Sequence, residues 1–186
     1  MLLKKMPTRR TQTSKAWWFI TLTLIMMFSA SSAIAEETTK PAERKRLGGI
    51  QPFTKAQIED FLSERRNAAV ATINKDGTPQ LTPVIYYWDG TTFYVSVTKE
   101  TVKYKNIKRD PRVSIIVDDV LNHHCVIAKG KATIQEDNIW DTTSKIIHKY
   151  YGKEEGDPYL EHIKKQNRVL IILKPTKMQA WGPIPR

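Results

Sequence analysis

Ala68-Ala69-Val70-Ala71-Thr72-Ile73-Asn74-Lys75-Asp76-Gly77-Thr78-Pro79-Gln80-Leu81-Thr82-Pro83-Val84-Ile85-Tyr86-Tyr87-Trp88-Asp89-Gly90-Thr91-Thr92-Phe93-Tyr94-Val95-Ser96-Val97 holds three runs rich in apolar, β-branched and aromatic residues, separated by two Asp-Gly pairs. Such runs suit a pleated, half-buried surface, and Asp-Gly supplies the positive φ that tight hairpin turns need. The stretch reads as strands over 68–73, 80–88 and 91–97, with turns at Lys75-Asp76-Gly77 and Asp89-Gly90, forming an antiparallel meander.

Working outward, Thr54 is a helix N-cap, and Ile58, Phe61 and Leu62 fall on one face of the helix that follows. Downstream, a short basic helix over 101–109 stops at Asp110-Pro111, because a residue before proline avoids helical backbone. Strands are expected over 113–117 and 124–134, the latter with a bulge or bend at Gly130. Helical spacing covers 138–151, a second piece covers 159–165 after Gly156-Asp157-Pro158, a sixth strand covers 168–173 and a last short one 177–181. Strands joined by tight turns pair antiparallel, and closing the sheet removes its edges. The expected fold is mainly β, a small antiparallel barrel with inserted helices.

Apolar residues make up 40% of the 186 positions and charged residues 26%, ordinary for a globular protein. The single cysteine, Cys125, excludes an intramolecular disulfide scaffold. The net charge of +11 is uneven: residues 1–35 carry Lys4, Lys5, Arg9, Arg10 and Lys15 without an acid, leaving 25 bases against 19 acids. That remainder is too weakly basic for a dedicated nucleic-acid binder. The basic start, the apolar run Ala16–Phe28 and Ala33-Ile34-Ala35 form the three-part layout of a secretory signal peptide. The expectation is export to the periplasm or beyond, cleavage after Ala35 and no stable membrane insertion afterwards; an uncleaved anchor is the alternative. Arg9-Arg10 leaves twin-arginine export open beside general secretion. Residues 36–52 read as a flexible linker and 53–186 as one domain.

The chemistry concentrates in Ser96-Val97-Thr98-Lys99-Glu100-Thr101-Val102-Lys103, where a strand end meets a helix start. Thr98 and Thr101 can each cap that start, its free N–H groups favour an anion, and Lys99 and Lys103, one helical turn apart, can converge on a phosphate. A solvated basic helix is the alternative reading. His123-His124 alternate across a strand and Cys125 lacks partners at ligand spacing, so no metal is expected.

With Thr82-Pro83-Val84 upstream, Lys103, Asn106-Ile107-Lys108-Arg109-Asp110-Pro111-Arg112-Val113, and Lys174-Pro175-Thr176 before Trp181, the chain resembles the pyridoxamine 5'-phosphate oxidase-like split-barrel family, most of all its deazaflavin-dependent branch. The resemblance implies a six-stranded split β-barrel, a homodimer and a cofactor groove between subunits. It assigns Lys103 to the cofactor phosphate, Thr82, Pro83 and Val84 to the strand behind the ring, and Ser96 and Val97 to the strand end lining the site. Pyridoxamine phosphate oxidases carry Arg where Thr82 and Val102 stand and Gln where Cys125 stands, so that substrate is disfavoured and coenzyme F420 is preferred over FMN. The deazaflavin branch often has Thr and Arg where this chain has Val97 and Thr101; Lys99 stands as a substitute for a lost base. Two function classes follow: a flavin- or deazaflavin-dependent oxidoreductase of a small organic substrate, or a non-catalytic periplasmic binder of flavin, haem or another planar ligand. No catalytic residue is assigned, because the cofactor supplies the hydride chemistry.

Overall fold

Buried and partly exposed side chains alternate strictly along Ala68–Ile73 and Phe93–Thr98, the signature of strands with one face in a core. A computed structural model describes residues 49–183. In chain order these form β1 (Ile50–Pro52), α1 (Lys55–Ser63), β2 (Ala68–Ile73), β3 (Pro79–Val84), β4 (Tyr87–Trp88), β5 (Phe93–Thr98), α2 (Val102–Arg109), β6 (Arg112–Asp119), β7 (His124–Gln135), α3 (Trp140–Ile163), β8 (Arg168–Leu173) and β9 (Lys177–Pro183). The signal-peptide segment lies outside the described residues. The end of the expected linker does not stay free, because Ile50–Pro52 pairs with β9.

The strands lie in the order β3-β2-β6-β7-β8-β5-β4, with β9 on β7 and β1 on β9, and every pairing is antiparallel. β3 and β4 stand at opposite ends of this order, yet only Ile85 and Tyr86 separate them. Val84 and Tyr87 therefore lie at most ~11 Å apart. The sheet must curl until its ends meet, giving a split β-barrel with its seam at Ile85–Tyr86. Tyr86 fills that seam, fully buried, its hydroxyl donating to the Leu62 carbonyl at 3.2 Å.

Closure corrects the expected strand count. The continuous strand over 80–88 breaks into β3 and β4, and β3 pairs with β2 while β4 pairs with β5, so no three-stranded meander forms. With β1 added and 80–88 divided, the seven runs read from the sequence become nine strands of one curled sheet. β7 is the corner strand: one edge pairs with β6 through Lys131, while the other pairs with β9 through Lys129 and, from Ala132 onward, with β8. Gly130 sits at the change of partner, where a Cβ would come 3.0 Å from the Lys174 carbonyl.

Inward residues such as Val70, Val95, Ile115, Val126 and Ile171 fill the barrel, and Phe61 and Leu62 of α1 pack against the same core. α1 begins with a full capping box between Thr54 and Gln57. The helical pattern at 138–165 becomes one element, α3, broken at Gly152, whose φ of 73° and ψ of −176° suit glycine alone. The break precedes the expected Gly156-Asp157-Pro158, because Gly156 is needed for packing: a Cβ there would lie 2.9 Å from the His148 ring.

Candidate functional site

Five elements converge on a cavity of about 320 Å³. The β3 end and seam contribute Pro83, Val84 and Ile85; β5 contributes Ser96, Val97 and Thr98; α2 contributes Lys103; α3 contributes Ile146, Ile147, Tyr151 and Tyr159; β8 contributes Arg168; and Thr101 lies at the mouth of α2. One wall is aliphatic, another carries the Tyr151 and Tyr159 rings with centroids 5.3 Å apart, and the polar end holds two cations and no carboxylate.

Lys103 is half-buried and has no ion-pair partner among the described residues. Burial, and then the nearby Arg168 charge, hold its ammonium below the usual lysine range. Arg168 is fixed by its neighbours: Nε donates to Ser96 Oγ at 3.0 Å, Nη2 to the Ser96 carbonyl at 2.8 Å and Nη1 to Gln166 Oε1 at 2.6 Å. Ser96 also meets Thr143 Oγ1 at 3.3 Å, which ties α3 to the strand end. Thr101 takes the N-cap backbone conformation, but its hydroxyl donates to the Thr98 carbonyl at 2.8 Å rather than accepting from α2. Neither threonine side chain therefore caps the helix, and the first-turn N–H groups of α2 keep their preference for an anion.

Six of the eight expected site residues line this one cavity: Pro83, Val84, Ser96, Val97, Thr101 and Lys103. Thr82 is not among its lining; its β-partner is Val70, whose side chain points into the barrel. Lys99 is not there either. α2 starts at Val102, so Lys99 precedes the helix and the one-turn spacing to Lys103 never applies; its ammonium instead pairs with Glu136 at 2.7 Å. Sequence reasoning did not place Arg168, Tyr151 or Tyr159 in the site. The available signal was a base opening the apolar strand at Arg168-Val169-Leu170-Ile171, but its meeting with Ser96 spans 72 positions.

Cys125 is buried, and burial pushes its thiol up to about 11, so it is no ready nucleophile. Among the described residues no three His, Cys, Asp or Glu side chains gather as a metal requires. A wider groove of about 800 Å³ carries Arg112, Lys129, Lys131 and Lys174 on the outer sheet face. It is larger, but it collects none of the strand-end and helix-start residues, and the smaller cavity is the better candidate.

Fold and site define a class: a split β-barrel whose candidate cavity lies where a strand end meets the start of a basic helix. The family model for pyridoxamine 5'-phosphate oxidase matches residues 54–182, well over half of the chain, and the protein belongs to that family. General stress protein 26 of Bacillus subtilis is 28% identical over 129 residues, covering 63% of this chain and 87% of that protein. Among solved structures, a conserved hypothetical protein of Mycobacterium tuberculosis superposes with a TM-score of 0.63 at 26% identity, covering 74% of this chain and 89% of the other. An F420 reductase superposes with a TM-score of 0.53 at 27% identity, covering 64% and 94%.

Proposed function

We propose that the protein is an oxidoreductase using a flavin-type cofactor, coenzyme F420 in preference to FMN, to reduce or oxidise a small organic substrate. One observation carries the reading: a half-buried, unpaired Lys103 in a cavity with an aliphatic wall and no carboxylate. An apolar slot for a planar ring with a cation at one end suits a ring system that carries a phosphate. The similarity to an F420 reductase supports the deazaflavin choice. Lys103 and the α2 N-terminus would hold the phosphate, and Pro83, Val84 and Ile85 would back the ring. Such a cofactor supplies hydride transfer when bound; the chain's own share is orientation, exclusion of water and positive charge.

The active form in this reading is a homodimer. The outer faces of β3, β2, β6 and β7 set Pro83, Ala69, Ile116 and Ile127 side by side, and Leu81 beside Ala71, an apolar strip whose Leu81 is 62% exposed. A strip of this kind marks an association surface. The N-terminal layout supports export with cleavage after Ala35; replacing Arg9-Arg10 by Lys-Lys separates general secretion, which tolerates the change, from the twin-arginine route, which does not.

Turnover is tested by mixing the protein with reduced F420 or reduced FMN and a panel of quinones, nitro compounds and enones under anaerobic conditions. Protein-dependent oxidation of the cofactor supports the enzyme. Tight binding without oxidation by any acceptor favours a carrier of the same ligand.

A further inference from the structure

Lys103 is not the only charge in the cavity without a counter-ion. Arg168 is half-buried on β8 and has no carboxylate partner among the described residues. Its three hydrogen bonds go to Ser96 and Gln166, all neutral acceptors. A guanidinium has five N–H groups, so one remains on each terminal nitrogen. Two cations sharing one part-buried cavity repel each other, and the Arg168 charge indeed helps hold the Lys103 ammonium below its usual range. Proteins rarely leave such a pair uncompensated, since each ion has lost water without gaining a partner.

Resting on the cofactor-binding reading of the cavity, we infer that Arg168 and Lys103 grip one phosphoryl group together, and that Arg168 makes the site discriminate a phosphorylated ring from the same ring without phosphate. The division of labour follows from the anchoring. Lys103 is a flexible point charge on the first turn of α2. Arg168 is a rigid fork whose inner edge is held by Ser96, so its two remaining N–H groups have a fixed direction. A phosphoryl group has oxygens enough for both, whereas a hydroxyl in its place leaves two cations unmet. Arg168 is thus a specificity residue supplied by β8, taking the place that Lys99 vacates by pairing with Glu136.

The test compares FMN with riboflavin, the same ring with and without phosphate, by calorimetry on the full-length protein. Wild type is expected to prefer FMN by about tenfold or more. In Arg168→Gln that preference falls to within about twofold while riboflavin affinity holds. Arg168→Lys, which keeps the charge without the fork, is expected between the two and gives a readout if Arg168→Gln folds poorly. An unchanged FMN preference in either variant, or an equal loss for both ligands, overturns the inference. If neither flavin binds wild type, the FMN alternative fails, and the F420 reading is decided separately by titration with F420. The inference is then decided by inorganic phosphate alone: it stands if phosphate raises the melting temperature of wild type but not of Arg168→Gln, and falls if it raises neither or both.

Discussion

Three lysines show how environment sets what one side chain can do. Lys99 is held by Glu136, whose hydrogen bond raises its pKa, and it is committed to structure. Lys103 has its charge destabilised by burial and by Arg168, and it is free to meet a ligand. Lys149 is half-buried on α3, with its ammonium 3.9 Å from the Tyr86 ring centroid and donating to the Leu62 carbonyl at 2.7 Å, and desolvation lowers it to about 8. The last value has a consequence for stability. The unfolded chain holds this proton up to about 10.5, so between about 8 and 10.5 it binds more protons than the folded protein. The Lys149 contribution to stability therefore rises with pH through that window, and its burial cost is fully present below it. Urea unfolding of wild type and Lys149→Met at pH 7.5 and pH 10 checks this: the stability of wild type relative to the variant should increase at the higher pH. A constant difference means that Lys149 is not strained in the fold. The ion pair of Lys99 and the burial of Lys149 were not legible in the sequence, and Lys103 stood out there through the helix start and the family resemblance; each environment is set by a partner from a distant element.

At the scale of elements, legibility follows locality. α1 could be read because its capping box lies within four consecutive residues, Thr54 to Gln57, and the hairpin turns because Asp-Gly carries its own geometry. The break between β3 and β4 could not be read: Ile85 and Tyr86 continue the strand pattern, and the bend is demanded by a barrel that closes through residues far away in the chain. The kink in α3 lay between these cases: the sequence placed a break at Gly156-Asp157-Pro158, but Gly156 is packed against His148 and the break falls at Gly152. Gly152 holds a backbone conformation that a side chain strains, although nothing lies near its missing Cβ. Gly152→Ala should destabilise the fold by about 1–3 kcal/mol, read as a lower denaturant midpoint at constant slope. Because Tyr151 and Tyr159 flank the kink and both line the cavity, the variant should also weaken ligand binding. A fully stable variant shows that the kink has another conformation available.

At the scale of the whole molecule, the barrel turns one apolar face inward and leaves another on the outside. Ile116 sits in the outer strip between Ala69 and Ile127, so Ile116→Lys should place a charge in the proposed subunit interface and convert the proposed dimer to a folded monomer in light scattering. A dimer that survives the change locates the interface elsewhere. What unites the residues, the elements and the barrel is one cavity built where β5, α2, α3 and β8 meet, with Lys103 as its proposed phosphate anchor. The most direct measurement is a fluorescence titration of F420 and FMN into the wild-type protein and into Lys103→Ala. The expected result is saturable binding of one or both cofactors at one site per chain, weakened in the variant by about 1.5–3 kcal/mol, the usual loss for a charge-assisted contact. Equal affinity in wild type and Lys103→Ala, or no binding of either cofactor to wild type, contradicts it.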